Sequence, residues 1–232
     1  MATLTNLRTR VYSRLGLDST SSGNDETETT AYLNEAIVDI LLQTDCYVTS
    51  TTIALSAGTS DYTLSASIIK IKEASVTSGN NTYRVEQVSP SDILDMRRGN
   101  TSSSPSTFYA IDGANLLMVF PTPSASDTMT VYQVPRPTSM SSGAHDSSNA
   151  TYGGIPDEFA PAIAAYTCWK MADREDDRTS QNGQLYFAEY QEYWIPKIRK
   201  YVNTKGNVAL PPARLKRRRR WVANNPSADL GF

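Results

Sequence analysis

Histidine occurs once in this 232-residue chain and cysteine twice, which removes most of the usual catalytic repertoire. Ser-His or Cys-His chemistry would rest on His145 alone, in a loop of Ser, Asn and Gly. Cys46 and Cys168 lie far apart in apolar helical contexts, too few for a disulfide framework, and read as buried small hydrophobes. The sequence has no G-x-x-x-x-G-K-[ST] loop and no G-x-G-x-x-G fingerprint, so the phosphate-cradling backbones of common nucleotide enzymes are missing. Metal-ligand spacing is missing too, because Asp173, Glu175, Asp176 and Asp177 fan around a helix and cannot converge on one ion. Glu189 and Glu192 remain as a possible acid-base pair, but they sit off the aromatic stripe of their helix and read as a solvated face. No run approaches the roughly 20 apolar residues that span a bilayer. The opening stretch MATLTNLRTRVYSRLG lacks the apolar core of a secretory signal. The expectation is a chain that acts where it is made, with no cofactor, no metal, no membrane partner and no enzymatic activity.

What is present is enough apolar material for a core, 39% of the residues with 9% aromatic, arranged in two grammars. Leu4, Leu7, Val11 and Leu15 form a helical stripe that stops at Gly16. A second helix is expected over about 30–44, capped by Thr27 or Thr29, with Leu33, Ile37, Ile40 and Leu41 on its face. After Cys46 the pattern turns period-two and β-branched, with turn residues every eight to twelve positions. Strands are expected at 51–55, 61–64, 68–76, 83–88, 107–111, 115–120 and 129–134. Between them a short helix at 90–98 is capped by Ser89 or Ser91 and ends on Arg97, Arg98 and Gly99. The stretch 138–154 is too polar for core and reads as a functional or mobile loop. Two further helices follow. One has a smooth face of Ala162, Ala165 and Ala172, and the other has an aromatic face of Phe187, Tyr190, Trp194, Ile198 and Tyr201. Pro196 should kink the second of these.

The fold class read from this layout is α+β: a four-helix bundle (two N-terminal, two C-terminal helices) with an inserted antiparallel β sandwich or barrel and an extended C-terminal arm. The division is 1–47 and 155–203 for the bundle, 48–137 for the β insertion, 138–154 for the polar loop and 204–232 for the basic arm.

Charge is distributed unevenly along this layout. Residues 211–232 hold six cations and one acidic residue, a net +5, so with a formal total of −2 the other 210 residues sum to −7. A local cluster of this kind, not the average, sets the field a partner meets.

Several pieces of the chain, taken in order, resemble the head-to-tail adaptor, or neck, proteins of tailed bacteriophages. LRTRVYSRLGLD followed by AYLNEAIVDILLQTDCYV is similar to that family's opening helix pair with its Asn-Glu-Ala motif. TTIALSAGTSDYTLSASIIKIKEASV is similar to its first hairpins, and YRVEQVSPSDILDMRRG to its strand and short helix. PSTFYAIDGANLLMVFPTPSASDTMTVYQVPRP is similar to its strand pair carrying Pro121-Thr122-Pro123, and IPDEFAPAIAAYTCWKMADRED to its third major helix. The resemblance spans about residues 4–202. It implies a structural subunit of a twelve-membered ring, a homo-oligomer beneath the portal in the virion neck, made in the host cytoplasm. Portal protein and tail or nozzle proteins would be the partners, and genomic DNA would pass through without sequence-specific binding. The resemblance implies no catalytic residues.

It offers no pattern for the basic run, so Arg214, Leu215, Lys216, Arg217, Arg218, Arg219, Arg220 and Trp221 are judged physically. They could dock on the portal, with arginines pairing carboxylates and Leu215 and Trp221 anchoring in apolar pockets. They could instead bind DNA phosphates, making the chain a nucleic-acid-binding module, or stay solvated. Portal docking is preferred because a conduit lined with arginines would grip the DNA it must release. The acidic body suggests a lumen that repels DNA.

Overall fold

The computed structural model describes residues 2–17, 24–99, 102–174 and 181–206. Helix α1 (Leu4–Leu15) begins where the Thr3 side chain accepts from the Asn6 amide, and it stops at Gly16, whose φ of 68° is left-handed. Its buried residues Leu4, Leu7 and Val11 are those of the expected stripe. Helix α2 (Asn24–Thr44) starts earlier than its sequence implies. Arg8 of α1 pairs with Glu26 and donates to Thr30 through Nε at 3.0 Å, so the first turn of α2 is held from outside. Thr29, expected as a cap, is instead fully buried inside the helix.

Seven strands follow: β1 (Thr49–Leu55), β2 (Asp61–Thr63), β3 (Ile68–Ser78), β4 (Asn81–Gln87), β5 (Phe108–Asp112), β6 (Leu116–Phe120) and β7 (Asp127–Pro135). They form one sheet in the order β1-β7-β3-β4-β5-β6-β2. The expected antiparallel pairing is corrected at one junction of this single curled sheet, where β4 and β5 run parallel, pairing at Glu86↔Phe108 and Gln87↔Tyr109. The reason is the connection between them. Helix α3 (Pro90–Arg97) lies there, and a helical crossover returns the chain in its original direction where a tight hairpin would reverse it.

Curling follows from chain length. β1 and β2 are the two sheet edges, yet residues 56–60 alone join them. That linker reaches at most about 20 Å when fully extended, whereas six strand spacings would part the edges of a flat sheet by about 29 Å. The concave face is filled by Leu55, Ile71, Ala74, Val76, Val85, Tyr109, Leu117, Val119, Met129 and Val131. On the other face of β5 and β6, Ala110 and Met118 pack with Ile93 of α3. Of the two expected caps it is Ser89 that starts α3, in a capping box with Asp92 that the sequence reading does not foresee, and Pro90 sits in the first turn as expected.

After two short 3-10 turns (Ala150–Tyr152 and Asp157–Phe159) come α4 (Ala160–Arg174), α5 (Gln181–Ala188), a π-helical segment (Glu189–Trp194) and α6 (Ile195–Gly206), the last three following one another without a break. Pro196 has no N–H and its ring crowds the carbonyl one turn back, and the wider π turn just before it relieves that crowding. Residues of α1, α2, α4, the π segment and α6 share one apolar cluster, which Val134 of β7 and Met140 also enter. Ala36, Ala162, Ala164 and Ala165 are fully buried, and such small side chains let α2 and α4 approach closely.

The 138–154 stretch is stitched to the body. Ser147 N donates to Ala2 O at 3.2 Å, Leu4 N donates to His145 O at 2.8 Å, and Met140 and Ser147 are buried. Its Gly153 has φ 132°, and a Cβ there would come within 2.6 Å of the Ile37 methyl of α2. Gly153→Ala should therefore cost about 2 kcal/mol in urea unfolding. Gly58→Ala, at a positive φ with open space around it, should cost about 1 kcal/mol. Equal midpoints for the two variants would refute the close approach.

Candidate interaction site

Helix α2 carries polar side chains where an amphipathic core helix would place its border. The Asn34 side chain acts as a surrogate strand edge, with Oδ1 accepting from Met140 N at 2.7 Å and Nδ2 donating to Met140 O at 3.1 Å. One position on, Glu35 accepts from the Tyr166 hydroxyl at 2.6 Å and meets Lys170 Nζ at 3.4 Å. Asp39, a turn later, accepts from the Tyr190 hydroxyl and from Gln43 Nε2 at 2.7 Å. Arg199 Nε donates to the Gln43 carbonyl at 3.0 Å. The Asn-Glu-Ala motif thus has a mechanical meaning, since Asn34 holds the loop, Glu35 holds α4 and the buried Ala36 admits it.

The two phenols are stacked edge-on, 5.1 Å between centroids. Burial first, and then the hydrogen bonds to Glu35 and Asp39, push both hydroxyls far above the usual phenol range. They are donors locked to carboxylates and are not poised to become bases. The thiols follow the same logic. Burial pushes Cys168 up to about 12 and also raises Cys46, so neither supplies a thiolate near neutral pH. His145 Nδ1 accepts from the Ser141 and Ser142 amides at 3.1 and 3.3 Å, and its ring stacks on Tyr152 at 4.3 Å, which makes it a loop staple. Among the described residues no group of three or more His, Cys, Asp or Glu could hold a metal ion, and no helix is long and apolar enough to cross a membrane.

Glu189 departs from the solvated reading. Its carboxylate takes both Arg14 Nη atoms at 3.2 Å and the Trp194 Nε1 donor at 2.9 Å, tying α1 to the last helices. Its partner lies 175 residues away along the chain, beyond the reach of any local pattern. Of the expected aromatic face, Tyr190, Trp194 and Ile198 are buried and Tyr201 packs against the same core, Tyr186 joins them, and Phe187 alone departs at 41% exposed. With it, Leu185 at 66% and Tyr193 at 55% leave apolar surface on the outside of the helical run. Phe187 touches Trp169 at 4.7 Å between ring centroids, Lys170 caps Trp169 at 4.6 Å, and Lys197 lies over both Tyr193 and Trp194. Exposed aromatic groups are enriched in protein interfaces.

Arg97, at the end of α3, bridges out of that helix. Its Nη2 donates to Ser60 O at 2.9 Å and to Asp61 Oδ1 at 2.7 Å, clipping β2 in place. The expected docking residues Arg214, Leu215, Lys216, Arg217, Arg218, Arg219, Arg220 and Trp221 lie outside the described residues.

Buried phenol–carboxylate clamps, unactivated thiols and an exposed aromatic flank describe a protein built to pack and to be packed against. The chain belongs to the SU10 adaptor protein family, a phage head-to-tail adaptor family, whose model matches residues 2–215. That match includes Arg214 and Leu215 and ends before the rest of the cation run. No curated protein matches the chain.

The raised phenols and thiol set a pH dependence. A folded-state value above the unfolded one contributes stability that is complete below the unfolded value and is lost as pH climbs toward the folded value. Unfolding free energy should therefore hold to about pH 9, where the thiol begins to contribute a loss, and fall more steeply above about pH 10, where each phenol adds about 1.4 kcal/mol per pH unit. Tyr166→Phe and Tyr190→Phe combined should flatten that alkaline limb while lowering stability at pH 7. Parallel pH profiles for wild type and variant would show that the phenols are not held neutral.

Proposed function

We propose that this chain is a subunit of a dodecameric ring that joins the portal to the tail in the phage neck and lines part of the DNA exit channel. Membership of an adaptor family carries this reading, since it implies association with portal and tail components and a place in the virion neck. The family is structural, which supports a non-enzymatic role. The helices of 1–47 and 155–203 act as one four-helix bundle that makes the subunit contacts, for which the exposed Leu185, Phe187 and Tyr193 are suited. Residues 48–137 form the β insertion and 204–232 the arm.

The arm docks on the portal through Arg214 to Trp221, a cluster of opposite sign to the body of net −7. Arg199 donates to the Gln43 carbonyl, which sets α6 against the end of α2. The acidic body faces the lumen and lets DNA slide. A second reading, a nucleic-acid-binding module, is supported by the same six cations. Salt separates the two, because releasing counterions from six phosphates should weaken binding about 10³-fold between 50 and 200 mM salt, whereas an anchored protein contact should change far less.

The test is co-sedimentation with the portal ring of the same virion at near-physiological salt, full chain beside a chain ending at Pro212. The full chain should bind and the shortened one should not. If neither binds the portal while the full chain shifts nucleic acid, the adaptor reading gives way to the second.

A further inference from the structure

The helices α1, α2 and α4 to α6, with the loop 138–154, meet the sheet and its α3 at a narrow junction. Two chain crossings join the parts, and they lie side by side, because Thr49 at the start of β1 pairs with Gln133 near the end of β7. At the first crossing Asp45 N still donates to Leu41 O of α2 at 3.0 Å, so residues 46–48 alone span from helix to strand. At the second, Arg136 N donates to Ser67 O at 2.6 Å on the sheet side and Thr138 N donates to Thr151 O at 2.8 Å on the helical side. Pro137 alone lies between those anchors. Apolar contact across the junction is small as well. Among the described residues Val134 is the one buried strand residue in the helical core, with Ile69 packed at its edge. The filling of the sheet comes wholly from residues 53–131.

Among the described residues, the polar contact that crosses this junction is an ion cluster. Lys70 Nζ meets Asp45 Oδ1 at 3.3 Å and Lys72 Nζ meets Asp45 Oδ2 at 3.5 Å, both from β3. Asp45 is out of place by the rules of helices. It follows Thr44, the last residue of α2, where the helix dipole disfavours a carboxylate. Its left-handed φ of 51° would suit Asn or Gly as well. The two lysines of the other part account for its charge. Their side chains are 48% and 36% exposed, so the pairs favour one arrangement without locking it.

We infer that residues 46–48 and Pro137 form a hinge between the helices and the sheet, latched by Asp45 against Lys70 and Lys72 in the arrangement seen. A small junction permits relative motion of the parts it joins, and a hinge needs only a few residues to absorb the change in φ and ψ. The fixed φ of Pro137 confines its share of the swing to ψ. Val134, seated in the helical core, is the pivot. With the latch open, the sheet re-aims while each part keeps its own core. In an adaptor subunit this lets the helices hold one set of contacts while the sheet adjusts to another partner, but the hinge itself does not require that reading.

The test is the residual dipolar couplings of backbone amides in the full chain, which report the alignment of the helices and of the sheet separately. In the wild type both parts should share one alignment. Asp45→Asn opens the latch while keeping a residue that tolerates the left-handed region, and Lys70→Gln with Lys72→Gln opens it from the other side. In each variant the order of the sheet should fall at least about twofold relative to that of the helices. The urea midpoint should stay where it is, because exposed ion pairs add little to stability. One common alignment in both variants would show a rigid junction and overturn the hinge. Separate alignments already present in the wild type, and unchanged in the variants, would overturn the latch. Should Asp45→Asn fail to fold, the paired lysine variant decides between these outcomes.

Discussion

Two hydrogen bonds, from the hydroxyls of Tyr166 and Tyr190 to the carboxylates of Glu35 and Asp39, hold the first helices to the last across 131 and 151 residues of chain. They are charge-assisted, with both phenols buried and the Glu35 side chain 48% exposed, and such bonds are strong while losing a buried partner is costly. The rest of the molecule depends on this seam. With α2 fixed against α4 and the helical run 181–206, both ends of the β region are anchored. β1 leaves a few residues after α2, and the chain returns from β7 through a loop that Asn34 clamps at Met140. The sheet can then curl around its own apolar filling without needing the helices to cover its concave face.

The same construction separates rigidity from recognition. Asn34, Glu35 and Asp39 on the border of α2 are spent on internal contacts, and the thiols and phenols are held neutral. What is left for partners among the described residues is surface of a different kind: the aromatic flank around Phe187 and Tyr193 and the open β1 edge. An assembly subunit needs several independent faces, and these two differ in chemistry, one apolar and aromatic and one main-chain. Such differences let each face discriminate its own partner.

Much of this architecture was legible along the chain. The stripe Leu4, Leu7, Val11, the Ser89 cap of α3, and the period-two strands are local signals, each written in residues a few positions apart. Features that pair distant residues were not legible. Glu189 resembled a solvated acid until Arg14 was brought beside it, and Phe187, on the expected core stripe, is exposed while Tyr186 packs against the core. The docking residues Arg214 to Trp221 remain a reading of charge and composition alone.

The sequence by itself determined the order of helices and strands, the family and the charge asymmetry, because periodicity, capping and composition act over short separations or over the whole chain. Tertiary structure alone decided that β4 and β5 run parallel, that the sheet curls with β1 left open, and that Asn34, Glu35 and Asp39 clamp three separate segments. Those outcomes depend on where the chain returns after a long crossover or a short linker, and no local pattern encodes which distant group will complete a hydrogen bond.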